Sequence, residues 1–312
     1  MKIVITEFMD DAAVDVLRAA FDTCYLPTLV DQRADLLAQL EQVDALIVRN
    51  RTKVDAALLA AAPNLKVVGR LGVGLDNIDV AACAARGIEV IPATGANARA
   101  VAEYVIGTAM ALLRQAYTRS AETAAGKWPR AALSNGRELS GKTLGLIGFG
   151  GIGQLTARLA QALGVHVIAY DPMFGPKAPV WAATGVACTR IDDLLRVADI
   201  VSLHVPLVDQ TRNLINATAL AKMKKTSILI NTSRGGIVDE SALAQALHAS
   251  NLGGAAIDVF MQEPLAADTP LADAPNLILT PHIAGVTEES NTRVSAVIAT
   301  LVGNYLRQKQ SL

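Results

Sequence analysis

Aromatic side chains are scarce, at 4% of a 312-residue chain that is 52% hydrophobic. A core with so few rings must be built from alanine and branched aliphatics, which suits helices packed closely on buried parallel strands. An excess of either charge is also lacking. Lysine and arginine number 28 against 29 acidic residues, a formal net charge of −1. Nothing therefore draws the whole molecule to nucleic acid or to an anionic membrane, and an anionic ligand must be read by locally placed arginines. Cys24, Cys83 and Cys188 are scattered, with no C-x-x-C and no zinc spacing. Buried thiols in a reducing compartment, and no metal, are the expectation. The apolar stretch Tyr104–Leu113 falls well short of the roughly 20 residues that cross a bilayer. The start, MKIVITEFMDD, lacks the basic, apolar and cleavage regions of a signal peptide. A cytoplasmic protein is expected, with neither nucleic acid nor membrane among its partners. Repeats, low-complexity tracts and long linkers are missing too.

The organising stretch is Lys142–Asp171, KTLGLIGFGGIGQLTARLAQALGVHVIAYD. A short apolar run, Thr143–Ile147, reads as a buried strand. It leads into Gly148-Phe149-Gly150-Gly151-Ile152-Gly153, a G-x-G-x-x-G. A helical pattern follows, with Ile152, Leu155, Leu159 and Leu163 on one face and Gly164 as its stop. A second strand, Val165–Tyr170, delivers Asp171. The first glycine permits the tight turn, the second lets backbone approach a pyrophosphate, and the third lets helix and strand pack closely. The helix start offers free N–H groups to the phosphates. Asp171 stands roughly 20 residues beyond the turn, where a carboxylate meets the ribose hydroxyls. Its charge repels a 2′-phosphate and Pro172-Met173 supply no arginine, which favours NAD over NADP.

The first ninety or so residues alternate strand and helix. Strands are expected at Lys2–Thr6, Asp44–Val48, Leu65–Val68 and Glu89–Ile91. Helices are expected from Asp10 or Asp11 to about Ala20, over Asp55–Ala62 and over Val80–Arg86. Alternation of this kind predicts a parallel sheet. Asn97 to about Thr118 reads as one long helix, and Ala131–Ser140 as an irregular arm. A second alternating region adds strands at Asp199–Val205, Ser227–Asn231, Ala255–Val259 and Leu277–Leu279. A last helix spans Glu288 to about Gln308. Periodicity alone does not say which half that helix packs against.

Ligands of open parallel sheets bind beyond the C-terminal strand ends. The polar residues just past the later strands are Asp171, His204, Ser233 with Arg234, Asp258 with Glu263, and His282. Arg234, before Gly235-Gly236, can clamp a carboxylate with two parallel hydrogen bonds. A surface ion pair is the bland alternative for Arg234, and a solvated loop acid for Glu263. His282, in PHIAG, is the residue type suited to proton transfer at ordinary pH. His204 is expected to line a cofactor cleft, His166 to start a strand away from the site, and His248 to be exposed.

At these residues the chain resembles the D-isomer-specific 2-hydroxyacid dehydrogenases. The matching blocks are GRLGVGLDNID (69–79), ANARAVAEYVIG (96–107), ELSGKTLGLIGFGGIG (138–153), HVPLVDQTRNLIN (204–216), INTSRGGIVDE (230–240), GAAIDVFMQEP (254–264) and LTPHIAG (279–285). They span nearly the whole chain, and the first blocks look most like the D-3-phosphoglycerate dehydrogenases. The resemblance implies two doubly wound α/β domains. A Rossmann NAD-binding domain, 97–285, would be inserted into a flavodoxin-like substrate domain, 1–96 plus 286–312. A homodimer is implied, built through the cofactor domains and an arm at about 115–140 around Trp128. Arg234, Glu263 and His282 are implied to be catalytic. NAD contacts are implied at Gly148, Gly150, Gly151, Ile152, Gly153, Asp171, His204, Pro206, Thr211, Thr232, Asp258 and Gly285. Substrate contacts are implied at Asn50, Arg51, Val73, Gly74 and Asn97, the last at the cleft and hinge.

Some departures from the family pattern matter. Gly151 stands where many members carry arginine or lysine. Asn50 replaces the serine usual in phosphoglycerate enzymes. The chain stops at Leu312, so the regulatory domains of many such enzymes are expected to be missing. Glutamate before Pro264 argues against a formate dehydrogenase. The expected reaction is hydride transfer between NAD and C2 of a 2-hydroxy acid, with His282 handling the hydroxyl proton. Glu263 would favour the charged imidazole and Arg234 would hold the carboxylate. Arg49, Arg51, Arg70, Arg99 and Arg130 suit a second anionic group, as in 3-phosphoglycerate or sulfolactate; structural ion pairs are their alternative. Glyoxylate or hydroxypyruvate reduction is the near alternative. An NAD-sensing corepressor, or a paralogue that keeps only the fold, is the alternative of another class.

Overall fold

A computed structural model describes residues 1–310. The chain divides into two compact units: Met1–Asn97 with the chain from Val286 onward, and Ala98–Gly285. Residues 311 and 312 of the expected substrate segment lie outside the described residues.

The first unit alternates β1 (Lys2–Ile5), α1 (Asp11–Arg18), β2 (Asp22–Tyr25), α2 (Arg33–Ala38), β3 (Ala45–Val48), α3 (Ala56–Ala61), β4 (Val67–Arg70), α4 (Val80–Ala85) and β5 (Glu89–Pro92). All five strands run parallel in the order β2-β1-β3-β4-β5, the flavodoxin-like winding. Every residue of β3 is buried, as a strand covered on both faces requires. Asp55 and Asp79 cap α3 and α4 by accepting from Leu58 N at 3.0 Å and Ala82 N at 2.9 Å. Asp10 sits at the start of α1 but makes no side-chain cap. The edge strand β2 and the short α2 are additions to the expected elements. β2 is DTCY and only half-buried, so it lacks the continuous apolar run that marks a central strand.

The second unit contains α5 (Ala98–Arg114), α6 (Ser120–Ala124), β6 (Thr143–Ile147), α7 (Gly151–Ala162), β7 (His166–Tyr170), α8 (Pro179–Thr184), β8 (Ala187–Cys188), α9 (Ile191–Val197), β9 (Ile200–Leu203), α10 (Ala217–Lys222), β10 (Ile228–Asn231), α11 (Glu240–His248), β11 (Gly254–Ile257) and β12 (Leu277–Leu279). Its parallel sheet runs β12-β11-β10-β9-β6-β7-β8. The winding reverses between β6 and β9, the switch point where dinucleotides bind in this topology. α5 stops short of Thr118 because Gln115 turns left-handed, at φ 49°. One short helix, α6, follows the expected long helix, and Ala131–Ser140 carries no helix or strand, as expected.

The burial of α7 corrects the expected leucine face. Gly153, Thr156, Ala157 and Ala160 are buried, Ile152, Leu155 and Leu159 are half-buried, and Leu163 is exposed. α7 lies against both β6 and α5. Such close approach selects the smallest side chains, so the bulky stripe is displaced toward the rim.

Finally α12 (Glu288–Gln310) returns to the first unit. Val294, Ile298, Val302 and Leu306 share a buried cluster with Ile3, Ile5, Ile47 and Val67. The packing is close enough that a Cβ on Gly69 would lie 2.7 Å from Val302. Each such fully buried aliphatic stabilises the unit by about 1.5–3 kcal/mol. Among the described residues, no helix is long and apolar enough to cross a membrane.

Candidate active site

The chemistry-bearing residues of the second unit follow three adjacent parallel strands, β10, β11 and β12. After β10 the chain turns at once. Asn231 Oδ1 accepts from Ser233 N at 3.0 Å, and its Nδ2 donates to the Arg234 carbonyl at 3.0 Å. Ser233 Oγ donates to the Leu203 carbonyl at the end of β9. A Cβ on Gly235 would lie 1.8 Å from the Phe260 carbonyl. Only glycine lets the Arg234 turn press against the loop after β11. Arg234 is half-buried, and one guanidinium nitrogen donates to the Ser233 carbonyl at 2.6 Å.

Glu263 and His282 meet directly. Glu263 Oε2 lies 2.8 Å from His282 Nδ1, while Oε1 accepts from Phe260 N at 3.1 Å. Glu263 is thus oriented by its own loop, and it orients the imidazole in turn. With Nδ1–H donating to the carboxylate, Nε2 is left for proton exchange. His282 has φ 57°, a left-handed conformation that costs a non-glycine residue about 1–2 kcal/mol.

Asp258 explains how that conformation persists. It is 1% exposed, and it accepts from Thr280 Oγ1 at 2.6 Å, Ile283 N at 2.8 Å and Ala284 N at 2.8 Å. Because the Thr280 hydroxyl donates to Asp258, Tyr104 donates its own hydroxyl to Thr280 Oγ1, at 2.6 Å. Burial pushes the Tyr104 phenol up, so it stays a neutral donor. A chain of hydrogen bonds from α5 therefore holds both sides of the His282 turn. Tyr104 and Thr280 were not among the expected site residues. Tyr104 sits in an apolar helical run and Thr280 adjoins a proline, so neither carries a local signal.

The glycine turn fits a dinucleotide. Gly148 has φ +95°, and a Cβ there would lie 2.3 Å from the His204 carbonyl. A Cβ on Gly153 would lie 2.5 Å from the Gly148 carbonyl. These two glycines serve packing. A Cβ on Gly150 or Gly151 would meet nothing within 4 Å, so the helix start is open where a pyrophosphate would approach. Asp171 follows β7 and accepts from Phe149 N at 2.7 Å and Met173 N at 2.9 Å. Its carboxylate is held in place with lone pairs left over for hydroxyl donors. Thr232 Oγ1 is buried without a protein partner, a hydroxyl that a bound cofactor could satisfy. Thr211 closes the loop after β9 by donating to the Pro206 carbonyl at 2.6 Å. Desolvation pushes His204 down to about 4, although the residue keeps some exposed surface. It is neutral at ordinary pH, and Ser202 Oγ lies 3.0 Å from its Nε2. Gly285 ends the unit, beyond the His282 turn.

The residues expected to touch substrate belong to the first unit. Asn50 and Arg51 are exposed in the turn after β3, with Arg51 paired to Asp31. Val73, exposed, and Gly74 follow β4. Asn97 Oδ1 is buried without a partner. Arg99 pairs with Glu103 on the surface of α5, and Arg70 donates to the Leu71 carbonyl at 2.8 Å. Burial pushes the Arg49 guanidinium below its usual range, opposed by the charge of Glu7. Arg49 donates at 2.9 Å to the neutral Asn291 Oδ1. His248 is exposed on α11, and His166 opens β7 at the end opposite Asp171.

The chain is similar to known proteins along most of its length. The sequence profile described as "D-isomer specific 2-hydroxyacid dehydrogenase, NAD binding domain" matches residues 106–284. The chain is 55% identical over 293 residues to an (S)-sulfolactate dehydrogenase of Chromohalobacter salexigens, covering 94% of each. It is 44% identical over 270 residues to a D-3-phosphoglycerate dehydrogenase of Mycobacterium leprae, covering 86% of this chain but 50% of that protein. Among solved structures, the NAD-dependent formate dehydrogenase of Staphylococcus aureus in complex with NAD aligns with a TM-score of 0.83 at 29% identity. The alignment covers 99% of this chain and 96% of that one.

Proposed function

The chain belongs to the D-isomer-specific 2-hydroxyacid dehydrogenases, and we propose that it moves a hydride reversibly between NAD and C2 of a D-configured 2-hydroxy acid bearing a second acidic group. The observation that carries the chemistry is the 2.8 Å contact between Glu263 and His282, beside the Arg234 turn on neighbouring strand ends. NAD, when bound, supplies the hydride acceptor. Residues Ala98–Gly285 are the NAD-binding domain. Gly150 and Gly151 admit the pyrophosphate, Asp171 binds the ribose hydroxyls, and the Thr232 hydroxyl at the end of β10 contacts the cofactor. The first unit is the substrate domain, with Asn50, Arg51, Val73, Gly74 and Asn97 contributing to substrate binding.

In oxidation, His282 Nε2 takes the proton of the 2-hydroxyl as the hydride leaves C2. In reduction it returns that proton to the 2-oxygen. Glu263 keeps the ring oriented and stabilises its charged form through Nδ1. Arg234 holds the substrate carboxylate with parallel hydrogen bonds and polarises the 2-oxygen.

Arg49 is the arginine best fitted to the second acidic group. It is half-buried and partly desolvated, and its side chain is bonded to an amide, whereas Arg51 and Arg99 are paired with carboxylates. A sulfonate or phosphate on C3 is therefore favoured over the single charge of glyoxylate. The descriptors of the relatives agree on handedness. A CH2–SO3⁻ group outranks a carboxyl group in the priority rules, whereas a CH2–O–phosphate does not. The (S) centre of sulfolactate thus has the same spatial arrangement as the D centre of 3-phosphoglycerate.

The protein is a homodimer in this reading. Tyr117 and Trp128 on the arm are 75% and 79% exposed, large rings that a partner surface would cover. The free thiols of Cys24, Cys83 and Cys188 suit the cytoplasm.

The test is NADH formation and consumption over single enantiomers of sulfolactate, 3-phosphoglycerate, glycerate and lactate, with glyoxylate and hydroxypyruvate for the reverse direction. A preference for a dianion of D arrangement is expected. His282→Ala should lose about 10²–10⁴ in kcat while NADH binding by fluorescence persists. Near-normal turnover in that variant removes His282 from the chemistry. NADH binding without turnover of any acid overturns the enzyme reading.

A further inference from the structure

The turn that carries Arg49 is gripped from both sides. Glu7, just past β1, is 4% exposed. Its Oε1 accepts from Arg49 N at 2.8 Å and Thr52 N at 2.9 Å, and its Oε2 accepts from Arg51 N at 3.1 Å. Asn77, in the loop before α4, works on the carbonyls of the same turn. Its Nδ2 donates to the Arg49 carbonyl at 3.1 Å and to the Thr52 carbonyl at 2.7 Å. Thr52, 2% exposed, adds a 2.8 Å hydroxyl contact to Thr6.

A buried carboxylate is a costly way to tie down four residues unless its hydrogen bonds are well made. Here both oxygens are engaged by backbone N–H groups. Glu7 also stands close enough to Arg49 for its charge to oppose, in part, the desolvation of the guanidinium. The clamp therefore fixes the path of the turn and favours keeping the arginine charged.

We infer that Glu7 and Asn77 are positioning residues, which hold the Arg49–Thr52 turn rigid and thereby set the preference for acids with a second anionic group. This rests on the reading proposed above. The pair touches neither the reacting carbon nor the cofactor. It acts on the turn that presents Arg49, so its loss changes which acid is preferred more than how fast a bound acid reacts.

The experiment uses the full-length enzyme with Glu7→Gln and, separately, Asn77→Ala. In Glu7→Gln an amide N–H replaces one acceptor and faces a backbone N–H. In Asn77→Ala the two carbonyl contacts are lost, while the Asn77 backbone carbonyl still accepts from Val54 N at 2.8 Å. Steady-state constants are measured for the preferred dianion and for D-glycerate, which has the same hydroxyl and carboxylate but no second anion. NADH affinity and thermal midpoint are recorded alongside. The expected result is a KM for the dianion raised about tenfold, the scale of one weakened charge-assisted hydrogen bond. The dianion kcat and the D-glycerate KM should stay within about threefold of wild type. If Glu7→Gln does not fold, Asn77→Ala decides alone. Equal losses on both acids would reduce the clamp to a stability element and overturn the inference, as would an unchanged ratio. A wild-type enzyme that shows no preference for dianions overturns the underlying reading itself, and that failure is visible before any variant is made.

Discussion

Replacing Asp258 by asparagine should damage the enzyme through the turn that carries its histidine. Asp258 has no bulk solvent around it, and three donors converge on its two oxygens. The amide oxygen of asparagine can keep the bonds from Thr280 Oγ1 and Ile283 N. Its NH2 group then points at Ala284 N–H, donor against donor, at a residue that is 3% exposed. One charge-assisted bond is lost and two buried donors go unsatisfied, a destabilisation of about 3–5 kcal/mol. For a unit of this size that lowers the thermal midpoint by roughly 6–20 °C. The turn also has less holding His282 in its left-handed conformation. A displacement of about 1 Å at the acid–base group costs about 10²-fold in turnover. Calorimetry on the folded variant, steady-state kinetics and NADH titration separate the effects. A midpoint within about 2 °C of wild type, with unchanged kcat, would refute the account. Loss of NADH affinity with intact kcat would instead make Asp258 a cofactor contact and little else.

Two other outcomes are expected. Gly150→Ala adds a methyl where nothing lies within 4 Å, at an ordinary φ of −70°. Stability should therefore change by less than about 0.5 kcal/mol, while NADH affinity, measured by fluorescence quenching, falls at least about tenfold because the pyrophosphate loses its approach. Unchanged affinity would move the cofactor away from this turn. The second outcome concerns pH. His204 falls from 6.5 to about 4 in the folded protein, so as pH drops the unfolded chain takes up the proton first. The stability associated with its neutral form is complete above 6.5 and is lost between 6.5 and 4, by about 3 kcal/mol. Urea melts across that range should show a shallower decline in His204→Asn, and parallel curves would contradict the assignment.

The features legible in the sequence are those written locally. Short apolar runs such as Ala45–Val48 and Thr143–Ile147, bounded by polar or glycine-rich turns, read as strands covered on both faces, and they are. The glycine turn and Asp171 belong to one short stretch, and Arg234, Glu263 and His282 each sit just past a strand. DTCY at β2 gives no such signal, because an edge strand needs no continuous apolar run. Helix α7 shows where periodicity misleads. It reports which residues share a face, and close packing against β6 and α5 decided that the small ones, not the leucines, would be buried.

Taken by itself, then, the sequence determined the parallel α/β class and marked the glycine turn and the three strand-end residues, Arg234, Glu263 and His282, that are proposed for the chemistry. Tertiary structure alone decided their pairing and support. The Glu263–His282 contact, the Tyr104–Thr280–Asp258 chain, the grip of Glu7 and Asn77 on the Arg49 turn and the return of α12 to the first unit all join residues from separate elements. Such contacts follow from strand order and register, which bring distant loops to one edge of a sheet. A local pattern carries no information about which loops those will be.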